Sequence, residues 1–275
     1  MDQGPATGRE TLIMGVLNVT PDSFYDGGQI RRVDDALDRA RSLVQDGADI
    51  VDVGGESSRP GADPVPTDEE VRRILPVIEA IRDLGAVISV DTYHAETARR
   101  ALSAGAAMVN DITALRGDSE MAGVIAQAQC ACVLMHMQGT PRTMQGDPHY
   151  DDVVADICRF FEERIATAVR AGISEEALWL DPGFGFGKTV AHNLDILRRL
   201  YEFTQFGLPV MIGTSNKSTI GTVLGLPVTE RTEGTAATVA IAIANGADCV
   251  RVHDVKAMAR VAKMTDAILG RSRYE

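Results

Sequence analysis

The chain has 275 residues, 45% of them hydrophobic, and carries 27 Lys plus Arg against 39 Asp plus Glu for a net charge of −12. That length buries a large core, either as one barrel-sized domain or as two smaller ones. The acidic balance excludes nonspecific nucleic-acid binding and adhesion to anionic membranes, which need basic patches, yet leaves room for an anionic ligand in one locally cationic cleft.

Four cysteines without a CxxC pair fit buried, reduced thiols in a cytoplasmic protein. Cys130 and Cys132 share a strand face but lack His or Cys partners at zinc spacing. The first ten residues read as a loose polar tail without a signal-peptide core, and no apolar run reaches membrane-spanning length.

From residue 11 onward the chain alternates. Residues 12–19 form an apolar strand, and 18–28 carry turn chemistry too decorated for a bare connector. Val33, Ala36, Leu37, Ala40, Leu43 and Val44 then repeat at helical spacing, with Asp34 and Asp35 placed to favour the helix N-terminus. A second strand spans 49–55, and its loop runs to Thr67, where Thr67 and Glu70 match a capping box.

Strands at 87–91, 108–112 and 131–136 alternate with helices at 95–105 and 120–128. A long polar loop, 137–150, precedes an amphipathic helix striped by Val153, Val154, Ile157, Phe161, Ile165 and Ala168 and stopped at Gly172. Strands at 178–181, 209–214 and 249–252 follow, with helices at 191–203, 232–245 and 255–269 and a turn into helix at 215–221. Strands that are apolar throughout indicate a parallel sheet covered on both faces. Eight such units, without a linker to split them, favour a single α/β domain over 11–275, a closed (β/α)8 TIM barrel, above a doubly wound open sheet.

Several strands end in a polar group: Asp91, Asn110, Asp181 and His253. In a barrel these tips share the C-terminal rim, where chemistry is done. Asp91, Asn110 and Asp181 fit metal ligation, acid–base work, or an edge that reads a planar heterocycle. The amide beside the carboxylates favours the heterocycle, since a hard-metal site calls for more carboxylates.

After Asp181 the chain runs Pro-Gly-Phe-Gly-Phe-Gly-Lys188. Aligned as a P-loop it has Pro182 where the first glycine belongs, and the dinucleotide pattern would need glycine at Lys188; both nucleotide readings fail. Its aromatics suit a flat ligand. Arg59, Lys217, Arg251 and His253 supply local cations, Lys217 beside a helix start that favours an anion. An ion pair within the fold is the competing role for Arg251. His94, His149 and His192 read as surface residues without convergent partners, and spacing gives neither His136 nor Lys188 a role.

Six stretches taken together resemble dihydropteroate synthase: residues 14–24 (MGVLNVTPDSF), 54–61 (GGESSRPG), 109–112 (VNDI), 135–139 (MHMQG), 181–188 (DPGFGFGK) and 251–253 (RVH). The resemblance implies condensation of 6-hydroxymethyl-7,8-dihydropterin diphosphate with 4-aminobenzoate to give 7,8-dihydropteroate and diphosphate, through early C–O cleavage to a pterin cation. It also implies a site. Asp91, Asn110, Asp181 and Lys217 would bind the pterin; Asn18, Arg59, Arg251 and His253 the diphosphate, with Mg²⁺ as cofactor on Asn18. Ser58, Arg59, Pro60, Phe186, Ser215 and Ser218 would frame the aminobenzoate. Asp91, Lys217 and Arg251 would carry the catalysis.

The loops after the first two strands would close to keep water from the cation. Sulfonamides, as aminobenzoate mimics, would compete at the Ser58, Arg59 and Lys217 end, and the partners expected are the two small-molecule substrates and a second copy in a homodimer. Two positions depart from the family pattern, Ser58 for threonine and Asn216 for arginine. A methyltetrahydrofolate-dependent methyltransferase shares the acid and the amide but has no use for the cations; a non-catalytic pterin-binding paralogue shares both.

Overall fold

The computed structural model describes residues 10–19, 29–57 and 61–271. Ser58, Arg59 and Pro60, most of the loop that follows the first strand, and nearly all of the N-terminal tail lie outside the described residues. Strands and helices alternate in the order β1 (Leu12–Asn18), α1 (Gln29–Gln45), β2 (Ile50–Gly54), α2 (Thr67–Ile81), β3 (Val87–Asp91), α3 (Ala95–Ala104), β4 (Met108–Asp111), α4 (Met121–Ala128), β5 (Ala131–Met135) and α5 (Val153–Arg170). The second half follows with β6 (Leu178–Asp181), α6 (Val190–Arg198), β7 (Met211–Ile212), α7 (Ser218–Leu224), α8 (Thr232–Ala244), β8 (Cys249–Val252) and α9 (Val255–Ile268).

All strand pairs are parallel, in the order β6-β5-β4-β3-β2-β1-β8-β7, and a bridge from Leu180 to Val210 joins β6 to β7. That bridge closes the barrel, as expected from eight apolar strands that no open sheet edge could expose.

Strand alternation sorts the residues into two cores. Ile13, Leu17, Val51, Val53, Val90, Val109, Leu134, Leu180 and Val250 face outward and pack beneath the helices. Met14, Ile50, Met108, Val133, Met211 and Cys249 face inward and plug the bottom of the barrel. Each such buried side chain stabilises the fold by about 1.5–3 kcal/mol. Two residues further along the same strands, the inward positions turn polar: Asp52 after Ile50, Asn110 after Met108, Arg251 after Cys249. The plug is thus the floor on which a polar layer sits.

Several local expectations are corrected. β7 covers two residues rather than 209–214; before it, Val210 keeps a bridge to Leu180 but gives its N–H to the Asp248 carboxylate at 2.9 Å. α1 begins at Gln29, so Asp34 and Asp35 lie in its second turn and not at its N-terminus. The Thr67–Glu70 capping box does not form: the N-cap is Pro66. Glu70 is instead drawn inward, its Oε2 accepting from Thr92 and Thr97 at 3.0 and 2.7 Å and meeting His94 Nδ1 at 2.9 Å. Thr11 ties the start of β1 to α9, donating through its N–H and its hydroxyl to Asp266, each at 2.8 Å. No helix among the described residues is long and apolar enough to cross a membrane.

Candidate active site

The polar layer is built by register. Asp91 lies opposite both Gly54 and Asn110, and Ser89 lies opposite Asp52. Asp52 Oδ2 accepts from Asn110 Nδ2 at 3.0 Å and from Arg251 Nε at 2.7 Å, while Arg251 Nη2 donates to Asp91 Oδ2 at 2.7 Å. One guanidinium therefore faces two buried carboxylates and balances the charge of only one. Burial pushes Asp91 up to about 7, with Arg251 opposing and Asp52, Glu70 and Asp111 adding to the rise. Burial also disfavours the Arg251 cation, but Asp52 and Asp91 outweigh it and keep the guanidinium charged.

Asp52 is absent from the site expected from sequence, although an acid in the middle of an apolar strand was its signal. It is fully buried, and such a group persists only when paired. By taking the Asn110 amide N–H it also settles which way that amide points. Asn110 Oδ1 is left as a buried acceptor without a partner in the protein, as are Asp52 Oδ1 and Ser89 Oγ. All three atoms lie in the buried layer at the base of the site, closed to solvent.

Across the rim, Asp181 is buried, which raises its pKa; the Gly183 N–H at 2.7 Å, Lys217, Lys188 and Arg251 oppose that rise. Lys217 precedes α7, with its Nζ 4.1 Å from the centroid of the Phe186 ring. Phe186 packs with Ile112, Met135, Met137 and Met144 near the rim, whereas Phe184 is absorbed into the outer core. His253 Nδ1 meets Ser215 Oγ at 3.0 Å, and Ser218 opens α7. Asn18 ends β1 opposite Gly54.

Asn216 occupies a left-handed turn at φ 60°, a conformation asparagine tolerates better than arginine. A cation still reaches that loop: Arg231 donates through Nη1 to the carbonyl of Asn216 at 2.9 Å and of Lys217 at 3.4 Å.

The glycine loop after β6 has a backbone reason. Gly183 has φ +68°, and a Cβ there would come within 1.9 Å of the His136 carbonyl; at Gly187, φ +63°, it would come within 2.6 Å of the Gln138 carbonyl. Only glycine allows the loops after β5 and β6 to touch backbone to backbone.

His94 is not a partnerless surface residue: the Glu70 hydrogen bond raises its pKa, partly against burial. Glu56, Glu70 and His94 place ligand atoms within 4.8 Å of one another. Their bonds are already internal, however, since the Tyr93 hydroxyl donates to Glu56 at 2.6 Å and His94 meets Glu70. The cluster ties the loop after β3 to β2 and α2. His192 likewise has a role, capping α6 reciprocally with Thr189.

Residues 14–253 match the family model of the pterin binding enzymes. The chain is 48% identical to the dihydropteroate synthase of Bacillus subtilis over 263 residues, covering 95% of this chain and 90% of that one. The chain belongs to the dihydropteroate synthase family. Among solved dihydropteroate synthases, the Clostridium difficile structure obtained in the presence of pteroic acid superposes with a TM-score of 0.90 at 46% identity, covering 95% of this chain and 97% of that one. The Xanthomonas albilineans dihydropteroate synthase with 4-aminobenzoic acid gives 0.88 at 43% identity, covering 95% and 93%.

Proposed function

We propose that this chain condenses 6-hydroxymethyl-7,8-dihydropterin diphosphate with 4-aminobenzoate to form 7,8-dihydropteroate and diphosphate. The observation that carries this reading is the convergence on one rim of an acid and an amide, Asp181 and Asn110, with the cations Lys217 and Arg251. A pterin edge is rich in N–H donors and fits the first group; a diphosphate fits the second. The methyltransferase alternative has no diphosphate for those cations to hold.

Little acid–base chemistry is needed. The bond from the exocyclic methylene carbon to the diphosphate oxygen breaks, and its electron pair leaves on diphosphate. The aminobenzoate nitrogen then supplies the new C–N bond and releases a proton. In this reading Asp181 and Asn110 hold the pyrimidine edge, and Asp91 as carboxylate stabilises the cationic ring. Arg251, His253 and Lys217 stabilise the leaving charge, and Phe186 with Ser215 and Ser218 borders the aminobenzoate.

We infer that Mg²⁺ belongs beside Asn18. A Cβ on Gly54 would lie in contact with Asn18 Oδ1 at 3.6 Å, so the glycine leaves that hard oxygen donor uncovered on this side. A single amide oxygen suits an ion whose other ligands are phosphate oxygens and water. When bound, Mg²⁺ supplies charge neutralisation on the diphosphate. The test of the function is direct: protein, both substrates and Mg²⁺ are incubated, and dihydropteroate and diphosphate are quantified. Tight pterin binding without product would replace this reading with that of a non-catalytic paralogue.

A homodimer is proposed on separate grounds. Val223, Leu224, Ile241, Met264 and Ile268 are exposed on the neighbouring helices α7, α8 and α9, Ile268 at 72%. From Gly234 to Ala244, α8 carries no charged side chain. A helix apolar on its outer face as well as its inner one is covered on both. Light scattering during gel filtration is expected to give twice the chain mass, and Ile241→Glu with Ile268→Glu to give the monomer; an unchanged monomer mass for the parent chain would remove the dimer.

A further inference from the structure

Lys188 closes the glycine motif yet touches neither rim nor solvent: it is 3% exposed. Its Nζ lies 2.9 Å from the Gly183 carbonyl, 2.9 Å from the Phe186 carbonyl, 3.3 Å from the His136 carbonyl and 3.0 Å from His136 Nδ1. Burial, the Lys188 charge and Arg116 hold His136 well below its ordinary pKa, which keeps the ring neutral. Three carbonyls and a ring nitrogen converge on one amine. The Gly183 carbonyl also accepts the Phe186 N–H at 3.0 Å, whereas the amine is the hydrogen-bond donor that the Phe186 carbonyl meets. Burial pulls the Lys188 pKa down to about 7, with Asp181 opposing and Lys217 adding to the fall, so near neutrality the amine exchanges between its two forms in this cage.

The cage sits at a particular joint. Gly185 is held from other directions, its carbonyl by Gln145 at 2.8 Å and its N–H by Asn193 at 2.8 Å, and the Gly187 carbonyl by the Tyr150 hydroxyl at 2.7 Å. The carbonyls of Gly183 and Phe186 are the ones Lys188 takes. Asp181 has independent support, because its strand pairs with β5 and its carbonyl accepts the His136 N–H at 2.9 Å. Phe186 has no strand beneath it.

We propose that Lys188 is a positioning residue for the aminobenzoate half of the site: its amine gathers the loop carbonyls and thereby sets the Phe186 backbone and ring. The pterin anchor Asp181 keeps its own strand pairing and its Gly183 N–H. This assignment rests on the function proposed above and deepens it.

The test separates the two substrates. Product formation by the parent chain is measured first, so failure of the functional reading is seen by itself. Binding is then titrated without turnover, the pterin diphosphate alone and 4-aminobenzoate onto protein loaded with dihydropterin and diphosphate. Lys188→Met is expected to weaken 4-aminobenzoate by at least about tenfold and the pterin by less than about threefold. General loosening would weaken both alike, and that result, or an unchanged 4-aminobenzoate constant, overturns the proposal. Lys188→Ala provides the second arm, which also serves if Lys188→Met does not fold. Methylammonium is expected to restore its aminobenzoate affinity where tetramethylammonium, without N–H donors, does not; recovery with neither or with both equally overturns it.

Discussion

Asp52→Ala is expected to destabilise the protein by about 2–4 kcal/mol, because it leaves two buried donors without their acceptor, Arg251 Nε and Asn110 Nδ2, while Asp91 still balances the guanidinium charge. The side chain never reaches solvent, so water does not replace it. The loss is not that of a cavity. A double variant, Asp52→Ala with Arg251→Met, removes the Nε donor together with its acceptor, leaves Asp91 to neutralise by taking a proton, and should recover part of the lost stability. Urea unfolding of the four chains gives the coupling; strictly additive losses would mean that the ion pair is not what Asp52 contributes. Asp52→Ala should also weaken pterin binding, since nothing then dictates which end of the Asn110 amide faces the ligand.

Asp91→Asn is expected to lower kcat by about 10²–10³-fold while leaving pterin binding nearly intact, the pattern of a group that acts on charge developing in the transition state. An Asp91→Asn enzyme with parent turnover at saturating substrates would end the cation-stabilising role. The same carboxyl predicts a pH dependence. Its pKa in the fold is pushed up to about 7, chiefly by burial, from an ordinary value of 3.8. Between those values the unfolded chain has released the proton and the folded chain retains it. By linkage this carboxyl's contribution to stability falls as pH rises from about 4 to about 7, and levels off above. Activity runs the opposite way, because stabilising a cation needs the carboxylate: turnover should rise through a limb near pH 7, and Asp91→Asn should abolish that limb.

The polar tips illustrate what could be read in advance. Asp91, Asn110, Asp181 and His253 are each visible as the end of an apolar strand, and a parallel barrel puts all such ends on one face. The structure places them there, with Asp91 beside Asn110 by register. Asp52 escaped notice because it is not at an end; its meaning lies in a partner 199 residues away. His94 and Glu70 escaped for a related reason. A capping-box pattern is local, and the tertiary pull of Thr92, Thr97 and His94 on the Glu70 carboxylate overrode it.

The sequence by itself determined the alternation of strand and helix, the closed parallel barrel, the rim on which chemistry sits, and the family. These follow from periodicity and from motifs whose residues are neighbours in the chain, and short-range spacing specifies both. The tertiary structure alone decided that Arg251 spans two acids, that Asn110 gives its amide N–H to Asp52, and that Lys188 buries its amine among three loop carbonyls. Those facts depend on which buried donors find which acceptors when distant strands close into a ring. A buried polar group takes its state from its partners, and partners across a barrel leave no mark in linear spacing.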